Sequence, residues 1–125
     1  TASAAAEPTS FVSDPHRPVP FRQRPIRSLS ASGSGWDIWL LEDQRFVDGR
    51  PDVLTFVGKP LDAPVTIVGD VTAMLQASTT GTDADWVVKL IDVYPPENPQ
   101  QPEVGGYQMM ISADILRGRH RQSST

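Results

Sequence analysis

Few residues in this 125-residue chain have types and spacing that suit chemistry. Ser34 sits between Gly33 and Gly35 in SASGSGW. A hydrolase nucleophile needs G-x-S-x-G, in which the glycines let a strand turn sharply into a helix and expose the hydroxyl. Neither that spacing nor a following helix pattern is present, so Ser34 reads as a linker residue. His16 and His120 are the only histidines, near opposite ends and each beside arginines, whose charge disfavours a bound cation. A general base needs a nucleophile within hydrogen-bond reach. Without one, both read as surface histidines.

Asp83 and Asp85 in TGTDAD are the carboxylates whose spacing suits calcium, which takes several loop oxygens. The EF-hand pattern is absent, and the reading preferred here is that they cap turns or pair with arginines. Paired glycosidase carboxylates would need a sugar cleft, and no stripe of exposed aromatics suggests one. The absence of cysteine excludes disulfides, thiolate catalysis and cysteine-ligated metal, and leaves the compartment open. No cofactor is expected.

The elements that would position these groups read as short strands. Residues 1–35 form a linker and a proline-rich arm. Thr1 to Ser10 is small and polar, prolines at positions 15, 18, 20 and 25 impose extended geometry, and Ser28 to Gly35 is a Ser/Gly loop. The mixed Phe, Val and Arg content favours an arm laid across a neighbouring domain over a ligand for an aromatic groove. Residues 36–125 read as strands at Trp36 to Leu40, Val53 to Val57 after an Asp48-Gly49 turn, Val65 to Val68, Val71 to Ser78, Trp86 to Tyr94 and Tyr107 to Ile111. Val71 to Ser78 alternates cleanly. Trp86 to Tyr94 is apolar on both sides, so its second face is expected to meet a covering surface. Asp92 lies on the side of Trp86 and Leu90, which predicts a buried partner, with Arg45, Arg119 and Arg121 as candidates.

Composition agrees with this pattern. Twelve prolines and nine glycines break the chain too often for long helices, and the length allows one core. The bottom-up fold is therefore an all-β sandwich. A net charge of -4 gives no broad cationic surface for a phosphate backbone, so nucleic acid is not expected as a partner. The arginines gathered near both ends read as solvated or paired with acids. No apolar run approaches the roughly 18 residues of a membrane span, and no membrane partner is expected.

Four motifs in order carry a family resemblance: FVSDPHRPVPF at residues 11–21, DQR with RPDVL at 43–45 and 50–54, DWVVKLIDVYP at 85–95, and R-x-R-x-R at Arg117, Arg119 and Arg121. In the last, His120 stands where the family more often has tyrosine. The sequence resembles the C-terminal domain of the X-Pro dipeptidyl-peptidase and cocaine-esterase superfamily, nearest its α-amino acid ester hydrolases and glutaryl-cephalosporin acylases. The resemblance implies a galactose-binding-like jelly roll annexed to an α/β-hydrolase domain that holds the Ser-Asp-His triad. The sandwich would pack on that domain and help wall its pocket while giving no triad member. It also implies an incomplete fragment, with the triad upstream and further strands downstream. Asp43, Arg45, Arg50, Asp52, Asp85, Trp86, Asp92, Arg117, Arg119 and Arg121 are then expected to serve structure or the interdomain contact rather than catalysis. Two other readings stay open: a carbohydrate-binding sandwich, on fold analogy, and an interaction module or homo-oligomer that pairs strands through open edges.

Overall fold

The run Asp85–Val93 is both β-branched and apolar, and it finds a partner that the earlier runs do not. The computed structural model describes residues 7–25 and 41–120. In it, strand β1 (Asp85–Val93) pairs antiparallel with β2 (Gln108–Arg117), from Asp85 opposite Arg117 to Val93 opposite Gln108. A bulge interrupts the ladder: Leu90 faces Ser112 and Ile91 faces Met110, which leaves Ile111 as an extra residue on β2. One face of the pair thus carries Trp86, Val88, Leu90 and Asp92 opposite Leu116, Asp114, Ser112 and Met109. The other carries Val87, Lys89, Ile91 and Val93 opposite Ile115, Ala113, Met110 and Gln108. A single bridge from Asp43 to Met109 lies on the second edge of β2.

The loop between the strands is closed by its own backbone. The Tyr94 N–H donates to the Tyr107 carbonyl at 2.8 Å, and the Gly106 N–H donates to the Pro95 carbonyl at 2.8 Å. Inside it, Asn98 Oδ1 accepts from the N–H groups of Gln100 (3.1 Å) and Gln101 (3.0 Å), leading into a 3₁₀ turn at Pro102–Val104. Glycine is required where this loop returns. A Cβ on Gly105 would lie 2.6 Å from the Pro96 carbonyl oxygen, and Gly106 has φ of 66°. Two further 3₁₀ turns, Gln44–Val47 and Gly118–His120, flank the sheet.

The regular structure is strand without α-helix among the described residues, in line with the all-β reading of the composition. The number of strands is corrected. Val53 to Val57, Val65 to Val68 and Val71 to Ser78 carry no ladder, and their apolar side chains stand open, Phe56 at 86%, Val68 at 92% and Met74 at 92% exposure. Alternation supplies an apolar face, but a strand also needs a neighbour for its N–H and C=O groups, and the described residues offer none. In the other direction, β2 runs past Ile111 to Arg117, because β1 continues to pair with it. The Asp48-Gly49 turn is present, with Gly49 at φ 71°. The run at Trp36 to Leu40, the Ser/Gly loop with Ser34, and Arg121 lie outside the described residues.

The small interior forms on the Lys89 face. Met110 (8% exposed) and Gln44 (2%) are its buried residues. Its cover comes from the arm and the Gln44–Val47 turn, whose Phe21 and Phe46 rings lie 4.4 and 5.4 Å from the Lys89 ammonium. Part of the second face of the strand is therefore covered from within the chain. Val87 (50%), Val93 (52%) and Ile115 (51%) on that face, and Leu116 (55%) on the other, remain half-exposed.

Candidate functional site

Charged residues converge where the arm crosses the turn at Gln44–Val47, and Arg22, Arg45 and Arg50 are each held there by a nearby carboxylate. Asp43 caps the turn, accepting from the Arg45 N–H at Oδ1 (3.1 Å) and from Arg45 Nε at Oδ2 (2.6 Å). The same Oδ1 accepts from the Gln108 N–H of β2 at 3.3 Å. Partial burial pushes the Asp43 carboxyl up, but the Arg45 guanidinium and the N–H groups of Arg45 and Gln108 together hold it below its ordinary 3.8. Arg45 also donates from Nη1 to the Gly105 carbonyl at 3.2 Å, which fastens the turn to the interstrand loop.

The R-P-D motif repeats this design. Arg50 grips Asp52 bidentately, Nε to Oδ1 at 2.8 Å and Nη2 to Oδ2 at 2.7 Å, while Nη2 also donates to the Arg17 carbonyl of the arm at 3.0 Å. This guanidinium bond holds the Asp52 carboxyl below its ordinary value. In both motifs the acid and the arginine lie two residues apart, so a short turn pre-forms the ion pair and frees other donors of the guanidinium for distant carbonyls.

Lys89 joins strand, turn and arm. Its Nζ donates to Gln44 Oε1 at 2.7 Å and to the Phe21 carbonyl at 2.9 Å, and Gln44 Nε2 in turn donates to the Glu42 carbonyl at 2.7 Å. Burial pushes the Lys89 ammonium below its ordinary value, with Glu42 pulling the other way. Arg22 closes the arm onto Glu42 with a two-pronged bond, Nε at 3.1 Å and Nη2 at 2.6 Å. The Tyr107 hydroxyl donates to the Leu41 carbonyl. Burial first, and then the carboxylates of Asp43 and Glu42, push that phenol up.

A second cluster holds the far end of the sheet. Asp83 accepts from the Ala84 N–H at 2.9 Å and from Arg119 Nε at 3.0 Å, Arg117 lies 3.9 Å from Asp85, and the Gly118 N–H donates to the Ala84 carbonyl at 2.7 Å. The Asp83 oxygens are thus engaged by protein donors and Asp85 faces Arg117, in agreement with the cap-and-pair reading. Among the described residues, no three His, Cys, Asp or Glu side chains converge as a metal site would require. His16 and His120 are exposed.

The structure brings together Asp43 with Arg45, Arg50 with Asp52, and Asp85 with Arg117, and places Trp86 half-buried on β1. Asp92 is a correction. It is exposed, and of its proposed partners Arg45 is bound to Asp43 and Arg119 to Asp83. Met109 lies beside it, and although Ile67 and Val71 border the same face at Leu90 and Ser112, Asp92 itself stays open to solvent. Sequence reasoning missed Arg22, Glu42, Gln44, Lys89 and Tyr107. Lys89 did carry a signal: a lone ammonium inside WVVKLIDV, on the Ile91 side, needs acceptors by the same logic applied to Asp92. Nothing local marks Arg22 with Glu42, twenty residues apart.

The assembled groups fasten backbone to backbone, without aiming a nucleophile, base and oxyanion donors at a common point. The comparisons agree with that character. The chain is 33% identical over 81 residues to the cocaine esterase of Rhodococcus sp. (strain MB1 Bresler), covering 65% of this chain and 12% of that protein. Among solved structures, a selenomethionine-labelled α-amino acid ester hydrolase matches at 54% identity and TM-score 0.75, over 89% of this chain and 18% of that one. An aminopeptidase from a marine sediment archaeon, Thaumarchaeota archaeon, matches at 47% identity and TM-score 0.74, again over 89% and 18%. The chain therefore spans less than a fifth of each of these proteins. Residues 17–125 match the model of the X-Pro dipeptidyl-peptidase C-terminal non-catalytic domain, and the chain belongs to that family.

Proposed function

We propose that the chain serves as the accessory β-sandwich of a serine hydrolase acting on α-amino acid esters, β-lactam acyl groups or X-Pro peptides, packing on an α/β-hydrolase domain and helping to shape its pocket. The observation that carries this reading is the strand pair, which leaves Val87, Val93 and Ile115 half-exposed on one face and Leu116 on the other. Apolar surface on both sides of a paired strand suits contact with further protein. Beside it, Asp43, Arg45, Arg50 and Asp52 of the family motifs are spent on holding the arm and the loops. Asp43, Arg45, Arg50, Asp52, Asp85, Trp86, Arg117 and Arg119 act in this reading as structural residues of the sandwich and its interdomain contact, with no triad member among them.

The test is made on the intact protein that carries this chain. Hydrolysis of an activated α-amino acid ester is expected to be abolished by a serine-reactive phosphonate, with the phosphonate recovered on a serine outside residues 1–125. Label on Ser34 or on any other serine of this chain would overturn the non-catalytic role, and absence of phosphonate-sensitive hydrolysis would remove the parent activity.

A further inference from the structure

The arm builds a concave surface that the ion pairs holding it in place do not use up. Pro18, Val19, Pro20 and Phe21 line it together with Arg17, Arg24 and Arg50. Arg50 spends Nε and Nη2 on Asp52 and on the Arg17 carbonyl, and its Nη1 enters none of these bonds. The side chains of Arg17 and Arg24 hold no carboxylate by hydrogen bond or ion pair among the described residues, and both are exposed. Arg17 also acts on Asp52 through space, helping to lower that carboxyl.

Of these three guanidinium groups Arg50 is already paired with Asp52, so Arg17 and Arg24 bring to this surface the positive charge that holds no carboxylate by hydrogen bond. Like charges gathered on one surface repel one another, and an acidic partner relieves that repulsion while bidentate bonds add direction. The prolines matter as well. Fixed φ angles at Pro18 and Pro20, with the Phe21 and Arg17 carbonyls pinned by Lys89 and Arg50, hold the arm in place before any partner arrives, so little backbone entropy is lost on binding.

We infer that the groove lined by Arg17, Arg24 and Arg50 is the docking surface for an acidic segment of the hydrolase domain. Its carboxylates bind the three guanidinium groups and its apolar side chains lie on residues 18–21. This rests on the reading that such a domain accompanies the chain, and it specifies which surface the domain engages.

The experiment is arginine labelling of the intact protein with phenylglyoxal, followed by mass spectrometry. A synthetic peptide of residues 14–25 serves as the unprotected reference. Because Arg17 and Arg24 are exposed in this chain, slow labelling requires cover from elsewhere. The expected result is labelling of both at least fivefold slower than in the peptide at low ionic strength, with most of that protection lost in about 1 M salt, where the screening length falls to about 3 Å. Labelling at the peptide's rate overturns the inference. If phosphonate-sensitive hydrolysis is present in the same preparation, that result leaves the hydrolase reading standing. Protection that is unchanged by salt shows an apolar cover in place of an acidic one and likewise overturns it. A preparation with no phosphonate-sensitive hydrolysis removes both the reading and the inference.

Discussion

Lys89 donates to the side-chain oxygen of Gln44 at 2.7 Å, and Gln44, at 2% exposure, is the most buried polar residue described in the chain. The pair couples a strand to a turn, and the remaining lysine bond, to the Phe21 carbonyl at 2.9 Å, extends that coupling to the arm. In Lys89→Met the apolar stem keeps its packing while Gln44 Oε1 loses its donor. A buried acceptor left unsatisfied costs about 1–3 kcal/mol. Native-state hydrogen exchange should show that loss at the Gln44–Val47 turn, with the β1 and β2 amides changing less. Equal losses in turn and sheet would mean that Lys89 supports the sheet directly.

The arm is fastened by side chains to its backbone carbonyls, which makes its release separable from unfolding. Of the arginines in residues 7–25, only Arg22 is followed by a residue other than proline, so trypsin has one efficient cleavage point there, the Arg22–Gln23 bond. Arg50→Lys keeps the charge but cannot hold Asp52 with two prongs and still reach the Arg17 carbonyl. Cleavage after Arg22 is expected to accelerate roughly threefold or more in that variant. Unchanged cleavage would show that the Arg22–Glu42 pair and the Lys89 bond to the Phe21 carbonyl keep the arm closed without Arg50.

The fold was legible in sequence where strand pairing is local and became illegible where it is not. Trp86 to Tyr94 and Tyr107 to Ile111 are separated by one loop that closes on itself, so their apolar patterns located the first strand and the start of the second, and missed its continuation to Arg117. Val65 to Val68 and Val71 to Ser78 have equally good patterns, but pattern reports only a side chain's preference for a face and says nothing of which backbone lies alongside. The site divided in the same way. Asp43 with Arg45 and Arg50 with Asp52 pair at a spacing of two, so the motifs that carried the resemblance also contained the contacts. Lys89 with Gln44, and Arg22 with Glu42, depend on the arm folding back, which no local spacing records. Asp92 shows the limit of reading burial from a strand face, because Ile67 and Val71 border that face at Leu90 and Ser112 while its Asp92 end stays exposed.

Acid should loosen the turn in a defined direction. The Asp43 carboxyl is held below its ordinary 3.8, so its contribution to stability is fully present above that value and is lost as pH falls through the lower folded value. Asp52 is displaced the same way by Arg50 and adds to the same trend. The Gln108 amide, which donates to Asp43 Oδ1 at 3.3 Å, is a direct reporter. Its NMR shift should titrate with a midpoint below 3.8 in the wild type, and Asp43→Asn should abolish that titration. A midpoint at or above 3.8 would mean that burial outweighs the arginine and the N–H donors.

The interstrand loop depends on the absence of a side chain at one place. A Cβ on Gly105 would sit 2.6 Å from the Pro96 carbonyl oxygen and 3.3 Å from the Pro102 carbonyl oxygen, both backbone atoms with little freedom to move. Gly105→Ala should therefore displace the returning chain and weaken the bond from the Gly106 N–H to the Pro95 carbonyl. It should also weaken the bond from Arg45 Nη1 to the Gly105 carbonyl. Faster exchange of the Gly106 amide is expected, with the Gly118 amide at the far end of the sheet unchanged. Gly118→Ala makes the complementary case, since its Cβ would lie 2.8 Å from the Ala84 carbonyl oxygen and 3.0 Å from Asp83 Oδ1. Disturbance at both ends from either single substitution would show that the two clusters act as one unit.

Asp92 supplies the contrast. It lies exposed on β1 opposite Met109, and neither Arg45 nor Arg119 reaches it as a partner. Removing a solvated carboxylate that holds no bond changes stability by about 0.5 kcal/mol or less in either direction. Asp92→Ala should thus leave the exchange rates of β1 and β2 within that margin. In the intact protein the same substitution distinguishes a solvent-facing residue from one buried against a hydrolase domain. If Asp92 is covered there and paired, its loss leaves a buried cation behind and costs several-fold more. A stability change within the small margin, in the intact protein, would place Asp92 in solvent there as well.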